Sequence, residues 1–200
     1  MTRLQSPLLL LLTGERGVGK STLCLRLAEE LMEQSSVTLR GVITLRRGRD
    51  RYARLLPGGE EILLARHAAS ARHAEAEQAG GDTTAPRIGP YVFSPEPFAR
   101  TERLLRDSSD PPESPAPIAM VDEIGPLELF QGQGFRKVLP VITQAPYRAA
   151  LIVVRPSLLG KLREVLGERN LRTHRLTPAK REEVHADLFA DLLSGGDREA

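Results

Sequence analysis

The chain has 200 residues, of which 40% are hydrophobic and 27% are charged, and its mean hydropathy is −0.25. This composition excludes a collagen, a transmembrane protein and a wholly disordered chain, and the length predicts one domain with a sizeable core. The formal net charge of +2 is too small to indicate a nucleic-acid-binding protein by itself. The single cysteine excludes an intramolecular disulfide framework, and the histidines show no metal-ligand spacing, so we expect no structural zinc site.

Strands and helices alternate along the predicted secondary structure. In chain order we expect a strand at 7–12, a helix at 20–32, a strand at 37–45, two strands at 52–56 and 61–65, a short strand at 91–93, a helix at 98–106, a strand at 118–121, a helix at 134–145 broken or capped near Pro140, a strand at 151–154, a helix at 158–166 and a last helix that begins at Thr177 and Pro178. Several of these strands are apolar throughout, which is typical of strands buried on both faces. The pattern predicts an α/β fold with a mainly parallel sheet.

The remaining segments are expected to form turns and loops within one domain over 1–200. The sequence Pro-Gly-Gly at 57–59 predicts the turn of a β-hairpin that spans about 41–65. Exposed loops are expected at about 69–87 and 107–117, and a flexible tail at 195–200. The leucine-rich start runs directly into a glycine-rich loop without a cleavage site, so we interpret it as a buried strand and not as an export signal. We expect a cytoplasmic protein without a membrane segment. We also expect a monomer.

A phosphate-binding motif follows the first predicted strand. Residues 14–21 (GERGVGKS) fit G-x-x-x-x-G-K-[ST] at every fixed position, between an apolar strand and an amphipathic helix. Glycines let the backbone N–H groups of this loop turn toward a triphosphate, while Lys20 reaches the β- and γ-phosphates and Ser21 binds Mg²⁺. The predicted nucleotide-binding residues of the loop are Gly14, Glu15, Arg16, Gly17, Val18, Gly19, Lys20, Ser21 and Thr22, and Lys20 is also predicted to be catalytic.

Acidic residues follow the apolar segment 118–121. Because the carboxyl end of a buried strand faces the nucleotide crevice of an open α/β sheet, Asp122 is the predicted second ligand of Mg²⁺. Glu123 is the predicted base for the attacking water, and a salt-bridge role for it stays open. Gly125 opens a tight turn that is expected to bring a backbone N–H near the γ-phosphate. Glu128 either serves the same site or is a solvated acid at a helix start.

Several segments of the chain resemble the small nucleoside-triphosphatase family that includes cancer-related nucleoside triphosphatase and enzymes of the THEP type. These segments are GERGVGKSTL at 14–23, GVITLRRGRDRYARLLPGGEEILLA at 41–65, IGPYVFSPEPF at 88–98, VDEIGPLEL at 121–129 and LTPAKREEVHADLF at 176–189. The Asp-Glu-Ile-Gly sequence is the specific part of the resemblance, because a phosphate loop alone occurs in many families.

The resemblance implies a three-layer P-loop NTPase fold, RecA-like or Rossmann-like, with helices on both faces of the sheet. It also implies Mg²⁺-dependent hydrolysis of ATP, GTP and other nucleoside triphosphates to the diphosphate and phosphate, with broad base tolerance. Besides the phosphate loop, it assigns nucleotide binding to Val121, Asp122, Glu123, Ile124 and Gly125.

An arginine cluster follows Thr44 in the predicted hairpin, where members of the family commonly carry a glutamate. The cluster comprises Arg46, Arg47, Arg49, Arg51 and Arg54. Three interpretations stay open: an arm that closes over the triphosphate, a patch for weak nucleic-acid contact, or a solvated hairpin tip. The low aromatic content of 4% counts against a platform for single-stranded nucleic acid, which usually stacks bases on aromatic rings.

The leading functional hypothesis is therefore a hydrolase of nucleoside triphosphates. A small nucleotide or nucleoside kinase is the first alternative, because the same loop serves phosphate transfer and the arginine cluster would supply a lid. A nucleic-acid-dependent ATPase is a further alternative. A guanine-specific GTPase is disfavoured, because no Asn-Lys-x-Asp sequence occurs in the chain.

Overall fold

The computed structural model describes residues 6–71, 85–107, 115–144, 146–167 and 169–195. The strands are β1 (Leu8–Thr13), β2 (Leu39–Arg47), β3 (Asp50–Leu56), β4 (Glu61–His67), β5 (Arg87–Ile88), β6 (Tyr91–Phe93), β7 (Ile118–Ile124), β8 (Ala149–Val154) and β9 (Leu171–Arg175). The helices are α1 (Lys20–Met32), α2 (Ala68–Ala71), α3 (Pro95–Arg106), α4 (Pro126–Phe130), α5 (Val138–Gln144), α6 (Leu159–Leu166) and α7 (Arg181–Ser194), and short 3-10 turns cover Gly134–Lys137, Pro156–Leu158 and Pro178–Lys180.

The described strands join one mixed sheet in the order β5-β6-β4-β3-β2-β7-β8-β1-β9. The five strands from β2 to β9 in this order run parallel to their neighbours, as predicted. The hairpin that leaves β2 continues into β4, β6 and β5, and these pairs are antiparallel. The predicted α/β fold is confirmed, with a parallel half and an antiparallel half that meet at β2.

The apolar strands at the centre of the sheet separate two hydrophobic cores. Because side chains alternate across a strand, Leu9 and Leu11 of β1 enter one core, whereas Leu8, Leu10 and Leu12 enter the other. Helices α3, α5 and α6 close the first core, and α1 and α7 close the second. The fully apolar sequence of β1 is thereby explained by burial on both faces.

Strand β9 is absent from the predicted elements, and its sequence explains why. Its residues, LRTHR, are only partly buried and contain no apolar run or clean alternation. The strand exists because it pairs in parallel with β1 along the edge of the sheet, with Leu9 opposite Leu171. A long-range pairing of this kind leaves no local sequence signal.

Two predicted boundaries differ from the structure at functionally relevant places. The strand predicted at 118–121 continues to Ile124, so Asp122 and Glu123 lie inside β7 instead of following it. The helix predicted at 134–145 is a 3-10 turn followed by α5, and Pro140 lies in the first turn of α5. Proline is tolerated there because its missing N–H has no partner within the first turn.

The predicted hairpin corresponds to β3 and β4, which flank the Pro-Gly-Gly turn. Much of the predicted loops lies outside the described residues, at 72–84 and 108–114, as does 196–200 of the predicted tail. Within the described ranges, none of the helices combines the length and the hydropathy that crossing a bilayer would need.

Candidate active site

The glycine-rich loop connects the buried carboxyl end of β1 to the N-terminus of α1. Gly14 and Gly19 have φ angles of +156° and +97°, which side-chain-bearing residues rarely adopt. A Cβ on Gly14 would lie 2.7 Å from the carbonyl oxygen of Leu176, so the chain after β9 also requires glycine there. Gly19 is the N-cap of α1, so the positive end of the helix dipole opens onto the loop.

Lys20, the first residue of α1, folds back into the loop. Its Nζ donates hydrogen bonds to the carbonyl oxygens of Gly14 at 2.7 Å and Glu15 at 2.9 Å, and the residue is only 9% exposed. These contacts direct two loop carbonyls toward the lysine. A buried ammonium group held by neutral carbonyls favours the approach of an anion.

Asp122 lies in β7 and is 1% exposed. The Thr44 N–H donates to its Oδ2 at 3.3 Å, the Thr44 hydroxyl donates to its backbone carbonyl, and the Ser21 side chain hydrogen-bonds its carboxylate. Burial raises the pKa of Asp122 to about 7, with a further increase from the charge of Glu123, while the contacts with Ser21, Thr44 and Lys20 oppose the rise. The site therefore joins the loop, β2 and β7 around one carboxylate that lacks full charge compensation.

This donor set fits Mg²⁺. Mg²⁺ is usually bound in proteins by one or two carboxylate or hydroxyl oxygens and completes its shell with substrate phosphates and water. Asp122 and the Ser21 hydroxyl supply such a partial shell beside the phosphate loop. In the described part of the chain there is no group of three or more His, Cys, Asp or Glu side chains that would form a complete protein cage.

Glu123 is held by an arginine from the neighbouring strand. The Nε of Arg155 donates to Glu123 Oε1 at 2.6 Å, and the two side chains are 45% and 28% exposed. Arg155 is the first residue after β8, which lies between β1 and β7 in the sheet. The pair is therefore located at the carboxyl edge of the sheet, between the strand that leads into the loop and the strand that carries Asp122.

Glu128 has a structural contact that neither of its two predicted roles describes. Its Oε2 accepts the N–H of Gly125 at 2.8 Å, and its Oε1 accepts the N–H of Phe135 at 3.1 Å. The residue is 5% exposed, and burial raises its pKa. Glu128 is thus a buried acid that fixes the turn after β7, so the expectation of a solvated acid is wrong.

The predicted site residues separate into three groups in space. The structure brings Lys20 to the loop carbonyls and Ser21 to Asp122, and Glu123 follows Asp122 in β7. The side chains of Val121 and Ile124 are fully buried in a hydrophobic core and position the backbone of β7. Glu15, Arg16 and Thr22 are exposed.

Sequence reasoning did not identify two residues that contact this site. Thr44 holds Asp122 across 78 positions of sequence, and Arg181 donates to the carbonyl oxygen of Val18 across 163. Neither lies in a motif with fixed spacing to the loop. For Thr44, the only available signal was its place at the end of a predicted strand.

The arginine cluster lies on the hairpin of β2 and β3: Arg46 and Arg47 end β2, Arg49 is in the turn, and Arg51 and Arg54 are in β3. Several of its members have local partners. Arg47 pairs with Glu61 at 2.9 Å, Arg46 donates to the Gly48 carbonyl, and Arg51 lies 5.0 Å from the ring centroid of Tyr91. These contacts neutralise or anchor part of the cluster within the antiparallel half of the sheet.

A model of the family described as NTPase matches residues 9–189. The chain belongs to the NTPase family. Two nucleoside-triphosphatases named THEP1 are similar to it: the protein of Thermofilum pendens is 29% identical over 92% of this chain and 94% of the relative, and that of Pyrococcus abyssi is 31% identical over 90% and 89%. Family membership confirms the predicted enzyme class.

Two solved structures resemble the fold. A human cancer-related nucleoside triphosphatase matches with a TM-score of 0.68 and 23% identity, over 96% of this chain and all of the other. THEP1 from Aquifex aeolicus matches with a TM-score of 0.62 and 20% identity, over 92% and 99%. These similarities confirm the predicted three-layer α/β architecture of this NTPase.

Proposed function

We propose that this protein hydrolyses ATP, GTP and other nucleoside triphosphates to the diphosphate and phosphate, with broad base tolerance and in a Mg²⁺-dependent reaction. One observation carries the proposal: Ser21 of the phosphate loop and the buried Asp122 of β7 share a hydrogen bond. This contact places the phosphate-loop motif next to the acidic end of β7, which supports the proposal. The names of the two THEP1 relatives support the same reaction.

The loop residues bind the triphosphate before the reaction. Backbone N–H groups of the loop and the N-terminus of α1 hold the phosphate oxygens, and Lys20 exchanges its carbonyl contacts for the β- and γ-phosphates. Ser21 and Asp122 would hold Mg²⁺, which neutralises negative charge on the β- and γ-phosphate oxygens when bound. These contacts would orient the γ-phosphate toward the carboxyl end of β7, which carries Glu123.

Glu123 is the proposed base. Its carboxylate accepts a proton from a water molecule whose oxygen forms a bond to the γ-phosphorus. The bond between the γ-phosphorus and the bridging oxygen breaks, and the electron pair leaves with the diphosphate, where Lys20 stabilises the charge. Arg155 positions the Glu123 carboxylate through the 2.6 Å hydrogen bond.

The test is release of phosphate from ATP, GTP, CTP and UTP by the wild type, Lys20→Ala and Glu123→Gln, with and without Mg²⁺. We expect turnover of all four substrates without an added acceptor, and a decrease of roughly 100-fold or more in kcat for each variant. Glu164→Gln is the matched control, because Glu164 is an exposed acid on α6 paired with Lys161. It should retain wild-type turnover.

The same assay separates hydrolysis from phosphate transfer. Each reaction is repeated with a panel of nucleosides and nucleoside monophosphates. No turnover alone, combined with transfer to one acceptor, would make the protein a kinase and reject the proposed hydrolase.

We further propose that the protein is a single-domain monomer of the cytoplasm. The one cysteine, which is free and buried, supports the location in a reducing compartment. Weak nucleic-acid contact through the arginine cluster is a subsidiary proposal. It predicts stimulation of ATP turnover by RNA that decreases steeply with salt. Unchanged turnover at low salt would reject it.

A further inference from the structure

The chain between β9 and α7 runs beside the phosphate loop. The Leu176 N–H donates to the Thr13 carbonyl at 2.7 Å, next to the first glycine of the loop. Five residues later, Nη2 of Arg181 donates to the Val18 carbonyl at 3.0 Å. A Cβ on Gly19 would lie 3.1–3.7 Å from three atoms of the same guanidinium group, so the group faces the Cα of Gly19.

Arg181 differs from Arg26 and Arg155 in its charge balance. Arg26 pairs with Glu30 and Glu182, and Arg155 pairs with Glu123. Arg181 forms no ion pair with a carboxylate of the described residues, and its hydrogen bond to Val18 uses one of its five N–H groups. A permanent positive charge therefore lies beside the N-terminus of α1, where the helix dipole already favours an anion.

The position of this charge points to particular phosphate groups. In the G-x-x-x-x-G-K-[ST] motif, the loop backbone surrounds the α- and β-phosphates, while the lysine reaches the β- and γ-phosphates. The guanidinium group of Arg181 contacts this backbone at Val18 and Gly19. The γ-phosphate is expected on the side of Asp122 and Glu123 instead.

We propose that Arg181 is a nucleotide-binding residue that donates hydrogen bonds to the α- and β-phosphates while the Val18 carbonyl anchors its guanidinium group. The proposal rests on the proposed function, because it assumes that the loop binds nucleoside triphosphates. The α- and β-phosphates remain on the product, so Arg181 binds substrate, transition state and diphosphate about equally. Its loss therefore raises KM and the Kd for diphosphate without lowering kcat.

The experiment compares the wild type with Arg181→Ala, Arg181→Lys and the control Arg26→Ala. Arg26 is an exposed arginine of α1 whose partners are carboxylates. We measure the Kd of ADP and GDP by titration calorimetry, and kcat and KM for ATP, GTP, CTP and UTP. For Arg181→Ala we expect an increase of ~10–100-fold in Kd and KM, equal for all bases, with kcat within about threefold of wild type. The Kd and KM values of Arg181→Lys should lie between those of the wild type and Arg181→Ala. Those of Arg26→Ala should match the wild type.

A rescue experiment separates direct phosphate contact from a tether that only shapes the loop. Millimolar guanidinium chloride should restore much of the ADP affinity of Arg181→Ala, because a free guanidinium ion can occupy the vacated position. A loss of affinity that guanidinium does not restore would assign a tethering role and overturn the proposal. Unchanged Kd values, a loss that differs among bases, or a parallel decrease in kcat would overturn it as well.

The outcomes also separate this inference from the proposed function. If the wild type binds ADP and ATP but Arg181→Ala binds them equally well, only the inference fails. If neither the wild type nor Arg26→Ala binds any nucleotide, the proposed function fails and the inference fails with it.

Discussion

Among the described acidic residues, Asp122 has an environment that differs strongly from that of an ordinary carboxyl group. It is almost completely buried, and its contacts are a hydroxyl and an N–H instead of a salt-bridge partner. Its pKa of about 7 means that the folded protein holds this proton more tightly than the unfolded chain does. In the nucleotide-free protein, ionisation of this carboxyl group therefore lowers the free energy of unfolding, and a bound cation would offset this loss.

We predict that Asp122→Asn stabilises the metal-free protein at pH 8. The contribution of the Asp122 carboxyl to stability is fully present below about pH 4 and is lost as the pH rises through about 7, because the pKa is raised on folding. At roughly 1.4 kcal/mol per pKa unit, the amide variant should gain a few kcal/mol at pH 8 and lose this advantage toward pH 4. Urea unfolding in EDTA across this pH range measures the difference.

Asp187→Asn is the control for this experiment. Asp187 is exposed on α7, so its substitution should leave the pH dependence of unfolding close to that of the wild type. A metal-free Asp122→Asn protein that is less stable than wild type at pH 8 would contradict the prediction.

At the scale of the elements, β2 joins the parallel and antiparallel halves of the sheet. Gly41 lies where β2 pairs with β7 on one side and β3 on the other, opposite Met120 and Leu56. Its φ angle is +141°, and an added Cβ would lie 1.8 Å from the Met120 carbonyl oxygen. Thr44, three residues further along β2, contacts Asp122, so the pairing at Gly41 also positions the candidate site.

We predict that Gly41→Ala separates β2 from β7 and destabilises the protein by about 3 kcal/mol or more. Phosphate release should decrease as well, since the contact between Thr44 and Asp122 depends on the same strand. Gly58→Ala is the matched control, because a Cβ at Gly58 in the hairpin turn meets no atom within 4 Å. Equal urea midpoints for the two variants would reject the role given to Gly41.

At the scale of the whole molecule, burial decreases from the centre of the sheet toward the antiparallel edge. Every residue of β1 and β8 is buried, whereas β4 is partly exposed and β6 and β5 contain no buried residue. Backbone amide hydrogens that become accessible only when the whole core unfolds exchange most slowly. The two halves of the sheet are therefore expected to differ in local stability.

We predict that the amides of β1 and β8 exchange with solvent deuterium slowest, and that those of β6 exchange faster by at least about tenfold. Hydrogen exchange followed by mass spectrometry, corrected for intrinsic rates, measures this order. Equal protection of β6 and β8 would show that the sheet opens as one unit.

Features that arise from neighbouring residues were predictable from the sequence. The glycine spacing of the phosphate loop, the apolar runs of β1 and β8 and the adjacent Asp122 and Glu123 are local patterns. They predicted the α/β fold and a hydrolase of nucleoside triphosphates. Local patterns carry this information because helix and strand periodicity and backbone freedom act over a few residues.

Which distant residues contact the loop and Glu123 depends on the tertiary structure. The position of β8 between β1 and β7 brings Arg155 to Glu123, and the pairing of β9 with β1 brings Arg181 to Val18. Side-chain periodicity indicates whether a residue is buried but not which partner it meets, because that depends on strand order and register. The polar strand β9 could not be predicted for the same reason, because it forms only by pairing with the distant strand β1. This pairing also positions Arg181, which follows β9.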